Sequence, residues 1–129
     1  MSPLDVDRAR LFSRPVFARL RRLCLALPDT TEVPAWNHPT FRIGKKTFCA
    51  FEMIRGRPSV AFRLPKADAA QFTRRKHFFP TPYGRDVWAS RWVDVPVDFR
   101  LMATLIRRSY AHTAPRQLSA AARRLKRDK

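Results

Sequence analysis

Glycine is scarce in this chain, with three in 129 residues. A phosphate-cradling loop of the GxGxxG or GxxxxGK[ST] kind needs glycines clustered within a few positions, and no such cluster exists. The two cysteines, Cys24 and Cys49, form no CxxC pair, and nothing in their spacing suggests a disulfide framework or a CxxC metal site. They fall in apolar stretches, one helix-like and one strand-like, as buried reduced thiols of a cytosolic protein do. Histidine is equally thin: His38, His77 and His112 are far apart, and neither HxxxH nor HExxH occurs. Acidic residues number ten, with no pair set for acid–base work; Asp94 and Asp98 read as helix-start residues. No apolar run nears the roughly 18 residues of a membrane span, and the opening MSPLDVDRARLF lacks a signal-peptide core. These absences lead to the expectation of a cytoplasmic protein that is not an enzyme, holds no cofactor or metal and enters no membrane.

Cations are what the chain has in excess. Lys and Arg total 27 against the ten acids, a formal charge of +17. Such an imbalance attracts polyanions, although an arginine-rich composition alone also raises it. Lys and Arg number six in each of residues 1–35, 36–65 and 66–95, and nine in 96–129. The excess is therefore spread, which predicts salt-sensitive, sequence-tolerant contact with nucleic acid rather than base readout. The content is 45% hydrophobic and 12% aromatic, enough for one domain with a real core.

Periodicity places the elements. Residues 1–12 read as a short helix or N-terminal arm. Ser13 and Pro15 open a helix whose apolar stripe is Phe17, Leu20, Cys24 and Leu27, ended by Pro28-Asp29. Three extended segments follow at about 39–43, 47–54 and 59–64, joined by Gly44-Lys45-Lys46 and by Arg55–Pro58. Alternation in the middle strand sets Phe48 and Ala50 on one side and Cys49, Phe51 and Met53 on the other, suiting a central strand covered by helices. Residues 65–75 read as a short helix, and 77–80 and 86–95 as two more strands. A helix capped by Asp98 carries Phe99, Met102, Ile106 and Tyr110 on one face. A last amphipathic segment follows Pro115. The order is α-β-β-β-α-β-β-α-α: an α+β domain with an antiparallel sheet of about five strands and helices against it.

Four stretches in this order, LALP (Leu25–Pro28), HPTFRIGKKTF (His38–Phe48), a Gly-x-x-x-Trp strand (Gly84–Trp88) and SYAHTAPRQL (Ser109–Leu118), resemble the MmcQ/YjbR-like family of small bacterial proteins. The similarity runs over about residues 16–120, leaving 121–129 as an added basic tail, so the whole chain 1–129 reads as one such domain. The resemblance implies a compact α+β fold, similar in layout to type III secretion chaperones, and DNA binding through a double-wing motif. It supplies no catalytic residues.

The residues themselves offer candidate contacts. Lys45 and Lys46 stand on one hairpin tip, with Arg42 on the strand before it, and Arg85 stands on another tip. In TRRKHFFPTPYGR, Arg74, Arg75 and Lys76 interleave with aromatics, a pattern suited to phosphates and stacked bases but also to capping a helix C-terminus. The tail adds Arg123, Arg124, Lys126 and Arg127. Successive turns of a meander lie at opposite ends of the sheet. The 44–46 and 55–58 tips therefore cannot act side by side, and the partner of each is undetermined. The leading expectation is a partner of double-stranded DNA bound without sequence preference. The alternative is a protein- or peptide-binding adaptor with a chaperone-like fold. A small pocket near Trp36, His38 and Trp88 is a third expectation.

Overall fold

The computed structural model describes residues 12–82 and 84–114, with the main chain alone at Arg85. The first helix, α1, is Pro15–Leu25; its proline sits at the start, where no donor is needed, and it buries Phe17, Leu20 and Cys24. Four strands follow: β1 (Thr30–Ala35), β2 (His38–Ile43), β3 (Lys46–Ile54) and β4 (Arg57–Arg63). Helix α2 is Lys66–Phe72, β5 is Phe78–Pro80, a 3₁₀ turn covers Arg85–Val87, and β6 is Trp88–Trp92. Helix α3 (Phe99–Thr113) starts where the Asp98 side chain accepts from the amides of Arg100 and Leu101, the cap expected from the sequence.

The fold is α+β, with one antiparallel sheet in the order β1-β2-β3-β4-β6-β5. It has one strand more than expected, because β1 pairs with β2 from Thr30↔Ile43 to Ala35↔His38. The strand expected over 86–95 is shorter and opens as a 3₁₀ turn. The amphipathic segment after Pro115 and the tail cations Arg123, Arg124, Lys126 and Arg127 lie outside the described residues.

Helices α1 and α3 cover one face. Phe51 packs against Phe17 of α1, and Phe48 meets Tyr110 of α3 edge-on at 5.8 Å. Strict alternation put Phe48 with Ala50, away from Phe51. The pairing instead steps from Phe41↔Cys49 to Arg42↔Thr47, so Phe48 is an extra residue in β3. This bulge turns Phe48 onto the helical face. Cys24 and Cys49 are buried, unbridged and in contact, and burial pushes the Cys24 thiol up. The opposite face carries a row of small residues at matched registers, Thr40, Ala50, Ala61 and Ser90. That face also carries Arg42, Arg63 and Trp92.

Both edge strands contain a proline, Pro34 in β1 and Pro80 in β5. A proline lacks the donor that an added strand needs, so each edge is blunted against pairing.

Candidate nucleic-acid interface

Strand direction assigns every turn to one of two ends. β3 runs from Lys46, beside the Gly44 turn, to Ile54, beside the Gly56 turn. At about 3.3 Å per residue its two ends are roughly 26 Å apart. β6 is antiparallel to β4 with Arg63↔Trp88 and Ser59↔Trp92, so it starts at the Gly44 end. The turn carrying Arg85 therefore shares the Gly44 end with Lys45 and Lys46. The Arg55–Gly56 turn lies at the other end with the Trp36–Asn37 turn, since Ala35 pairs with His38 there.

The two tips at the Gly44 end sit between β2 and β3 and between β6 and β5, three strand spacings apart. That is about 14 Å. Lys45 and Lys46 are exposed, and neither forms an ion pair among the described residues. Arg42 stands on the outer face beside this tip, paired with Thr47; its Nε is buried and donates to no partner among the described residues. Lys66 and Asp86 form an open pair at 3.6 Å near the second tip. Gly84 is required there by close approach. A Cβ on it would lie 2.6 Å from the Trp88 Cβ and 2.8 Å from that of Thr81.

Arg74, Arg75 and Lys76 do not join this surface. They precede β5, whose register puts Phe78 opposite Arg91, and His77 O accepts from the Trp92 amide. They lie at the Gly56 end, and the Arg75 guanidinium covers the Phe72 ring at 5.2 Å. The sequence-expected cations thus divide between two ends.

The Gly56 end holds a feature that sequence reasoning missed. Arg57 donates from Nε to Asp94 Oδ2 at 2.7 Å and from Nη2 to Oδ1 at 2.9 Å. Held by this fork, its guanidinium lies 4.1 Å over the Trp92 ring. Phe79 stacks near Trp92, with centroids 4.0 Å apart and planes at 22°. Arg57, Trp92 and Phe79 form one column across β4, β6 and β5. Only the register brings them together, so no local motif announces them. The Asp94 carboxyl is held below its ordinary range, first by the Arg57 bond. His77, in the left-handed region at φ 69°, has its pKa lowered by burial and then by Arg91, Lys76 and Arg57. Arg91 is buried beside this end, donating to the main-chain oxygens of Trp92 and Pro96.

Trp36, His38 and Trp88 do not converge. Trp36 lies in the β1–β2 turn at the Gly56 end and His38 follows that turn, whereas Trp88 opens β6 at the Gly44 end. Trp36 is 88% exposed, and His38 Nδ1 has no hydrogen-bond partner among the described residues. Trp88 instead lines a shallow groove of about 270 Å³ with Lys66, Ala69, Thr73 and Asp86. Among the described residues no group of three or more His, Cys, Asp or Glu is placed to hold a metal, and no helix is long and apolar enough to cross a membrane.

The model of the YjbR family matches residues 25–112. A crystal structure of the Deinococcus radiodurans protein DR2400, a domain of unknown function, superposes with a TM-score of 0.65 at 17% identity, covering 81% of this chain and 83% of that one. A crystal structure of a protein from Pseudomonas syringae superposes with a TM-score of 0.57 at 14% identity, covering 67% and 88%. At these identities the two share the fold alone. No functionally curated protein matches.

Proposed function

The chain belongs to the YjbR family, and from there we propose that it is a non-enzymatic cytoplasmic protein that holds duplex DNA by its phosphates at the Gly44 end of the sheet. The observation that carries this reading is the shared end: the Lys45-Lys46 tip and the Arg85 turn face the same side, about 14 Å apart. A B-DNA major groove is about 12 Å wide, so two tips at this spacing reach phosphates on both of its walls. Arg42 extends the surface along β2.

The adaptor reading has less support. Prolines in both edge strands oppose strand addition by a peptide. Among the described residues only Leu25 and Trp36 are large exposed hydrophobics, which leaves no broad apolar patch for a protein partner. Catalysis has less support still, because the three histidines stand apart, His38 on β2, His77 in the turn before β5 and His112 on α3.

A gel-shift titration at low salt tests the proposal, comparing wild type with Lys45→Glu/Lys46→Glu. Duplex binding by wild type that the double variant loses, with its circular dichroism unchanged, is the expected result. Wild type that leaves duplex free, or a double variant that binds as well as wild type, overturns it.

A further inference from the structure

We propose that the Arg57–Trp92–Phe79 column is a second nucleic-acid site, which takes an unstacked base of a single strand on the open face of Phe79. Trp92 and Phe79 are already stacked with their planes at 22°, and the Arg57 guanidinium lies over the Trp92 ring. The guanidinium lies 4.1 Å from the Trp92 ring, and the next ring follows at 4.0 Å. Asp94 locks the inner end with two hydrogen bonds, so the guanidinium is held over the Trp92 ring before anything binds. At the outer end β5 is the last strand of the sheet, and Phe79 is partly exposed there. The next position in the column therefore lies outside the protein.

The surroundings suit a single strand. Arg74 and Lys76 are exposed just before β5 and make no ion pair among the described residues, so they stand ready for the phosphates that flank a stacked base. Pro80 denies the same edge to an added peptide strand. A duplex offers no ring face along its length, since its bases stack on one another. This end is built for single strands, and the Gly44 end for the duplex.

The test uses an oligothymidylate of about 12 nucleotides, a fully abasic oligomer of the same length and a duplex, each titrated at one salt concentration. Wild type is expected to bind the thymidylate more tightly than the abasic strand. Phe79→Leu, which keeps an apolar side chain against Trp92 but has no ring, is expected to lose roughly 5- to 100-fold for the thymidylate and nothing for the abasic strand or duplex. Phe79→Trp restores binding. Equal wild-type affinity for the two single strands overturns the site, and that comparison needs no variant to fold. Thymidylate binding that disappears with Lys45→Glu/Lys46→Glu also overturns it, by placing both ligands on one surface. The duplex reading can fail while this site stands, because the two rest on different residues at opposite ends.

Discussion

The Tyr110 hydroxyl donates a hydrogen bond of 2.8 Å to the main-chain oxygen of Pro28, 82 residues earlier. This bond ties the last turns of α3 to the loop between α1 and β1. It joins two of the stretches that carry the family resemblance, LALP and SYAHTAPRQL. A buried ring and an accepting loop carbonyl explain physically why those stretches occur together.

Removing that hydroxyl is the first prediction. Tyr110→Phe keeps the ring against Phe48 and leaves the Pro28 oxygen without its donor. The expected cost is about 1–2 kcal/mol, read as a fall of several degrees in Tm. Burial raises the phenol pKa above its ordinary value, and Asp29 adds to this. A raised acid pKa favours the neutral form in the folded state. The stability it contributes is full below about pH 10 and is lost as pH rises through the folded value. The gap between wild type and Tyr110→Phe should therefore narrow in alkaline melts.

Gly84→Ala is expected to destabilise for a steric reason alone, because its φ of −97° suits any residue. The added methyl would sit 2.6 Å from the Trp88 Cβ and 2.8 Å from Thr81. Either the turn or the start of β6 has to move, at about 1–3 kcal/mol. The Gly-x-x-x-Trp spacing thus records a fit in which the missing side chain is the room for the indole. A Gly84→Ala variant that melts with wild type removes this explanation.

Most of the fold was legible because helix and hairpin signals are local. Pro15 and Asp98 mark helix starts, and Gly44 and Gly56 adopt the left-handed turn conformation, at φ 64° and 78°. Strand β1 was not legible. Its sequence TTEVPA lies on an edge with every residue at least partly exposed, so no apolar alternation is imposed on it. Its turn, Trp36-Asn37, reaches positive φ at both positions without a glycine, which removed the usual marker. The Phe48 bulge was hidden because alternation assumes an unbroken ladder. For the site, the cations were visible as residue types. Their division between two ends depends on β4 pairing with β6, a long-range choice that no local pattern encodes.

Asp94→Asn is predicted to loosen the Arg57–Trp92 stack. The carboxyl's pKa is lowered chiefly by the Arg57 hydrogen bond. A depressed acid pKa contributes stability above the unfolded value of about 3.9, and that contribution is lost as pH falls through the lower folded value. Wild type should thus melt slightly above Asp94→Asn at neutral pH, and the two should converge in acid. Loss of the cation over the ring should also change Trp92 emission at neutral pH. Identical emission from the two proteins would mean that Asp94 does not hold the guanidinium in place.

The salt dependence of duplex binding separates the two ends quantitatively. Each phosphate neutralised contributes about 0.9 to the slope of log K against log salt. If six phosphates are contacted, affinity falls roughly a thousandfold between about 50 and 200 mM salt. Lys45→Ala/Lys46→Ala removes two exposed cations from the Gly44 end and should lower the slope by about two. Arg74→Ser/Lys76→Ser removes two from the Gly56 end, across a strand length of roughly 26 Å, and should leave the duplex slope where it was. Equal reductions from both pairs would mean that the duplex runs along the sheet and touches both ends, which the placement of the tips on a single end argues against.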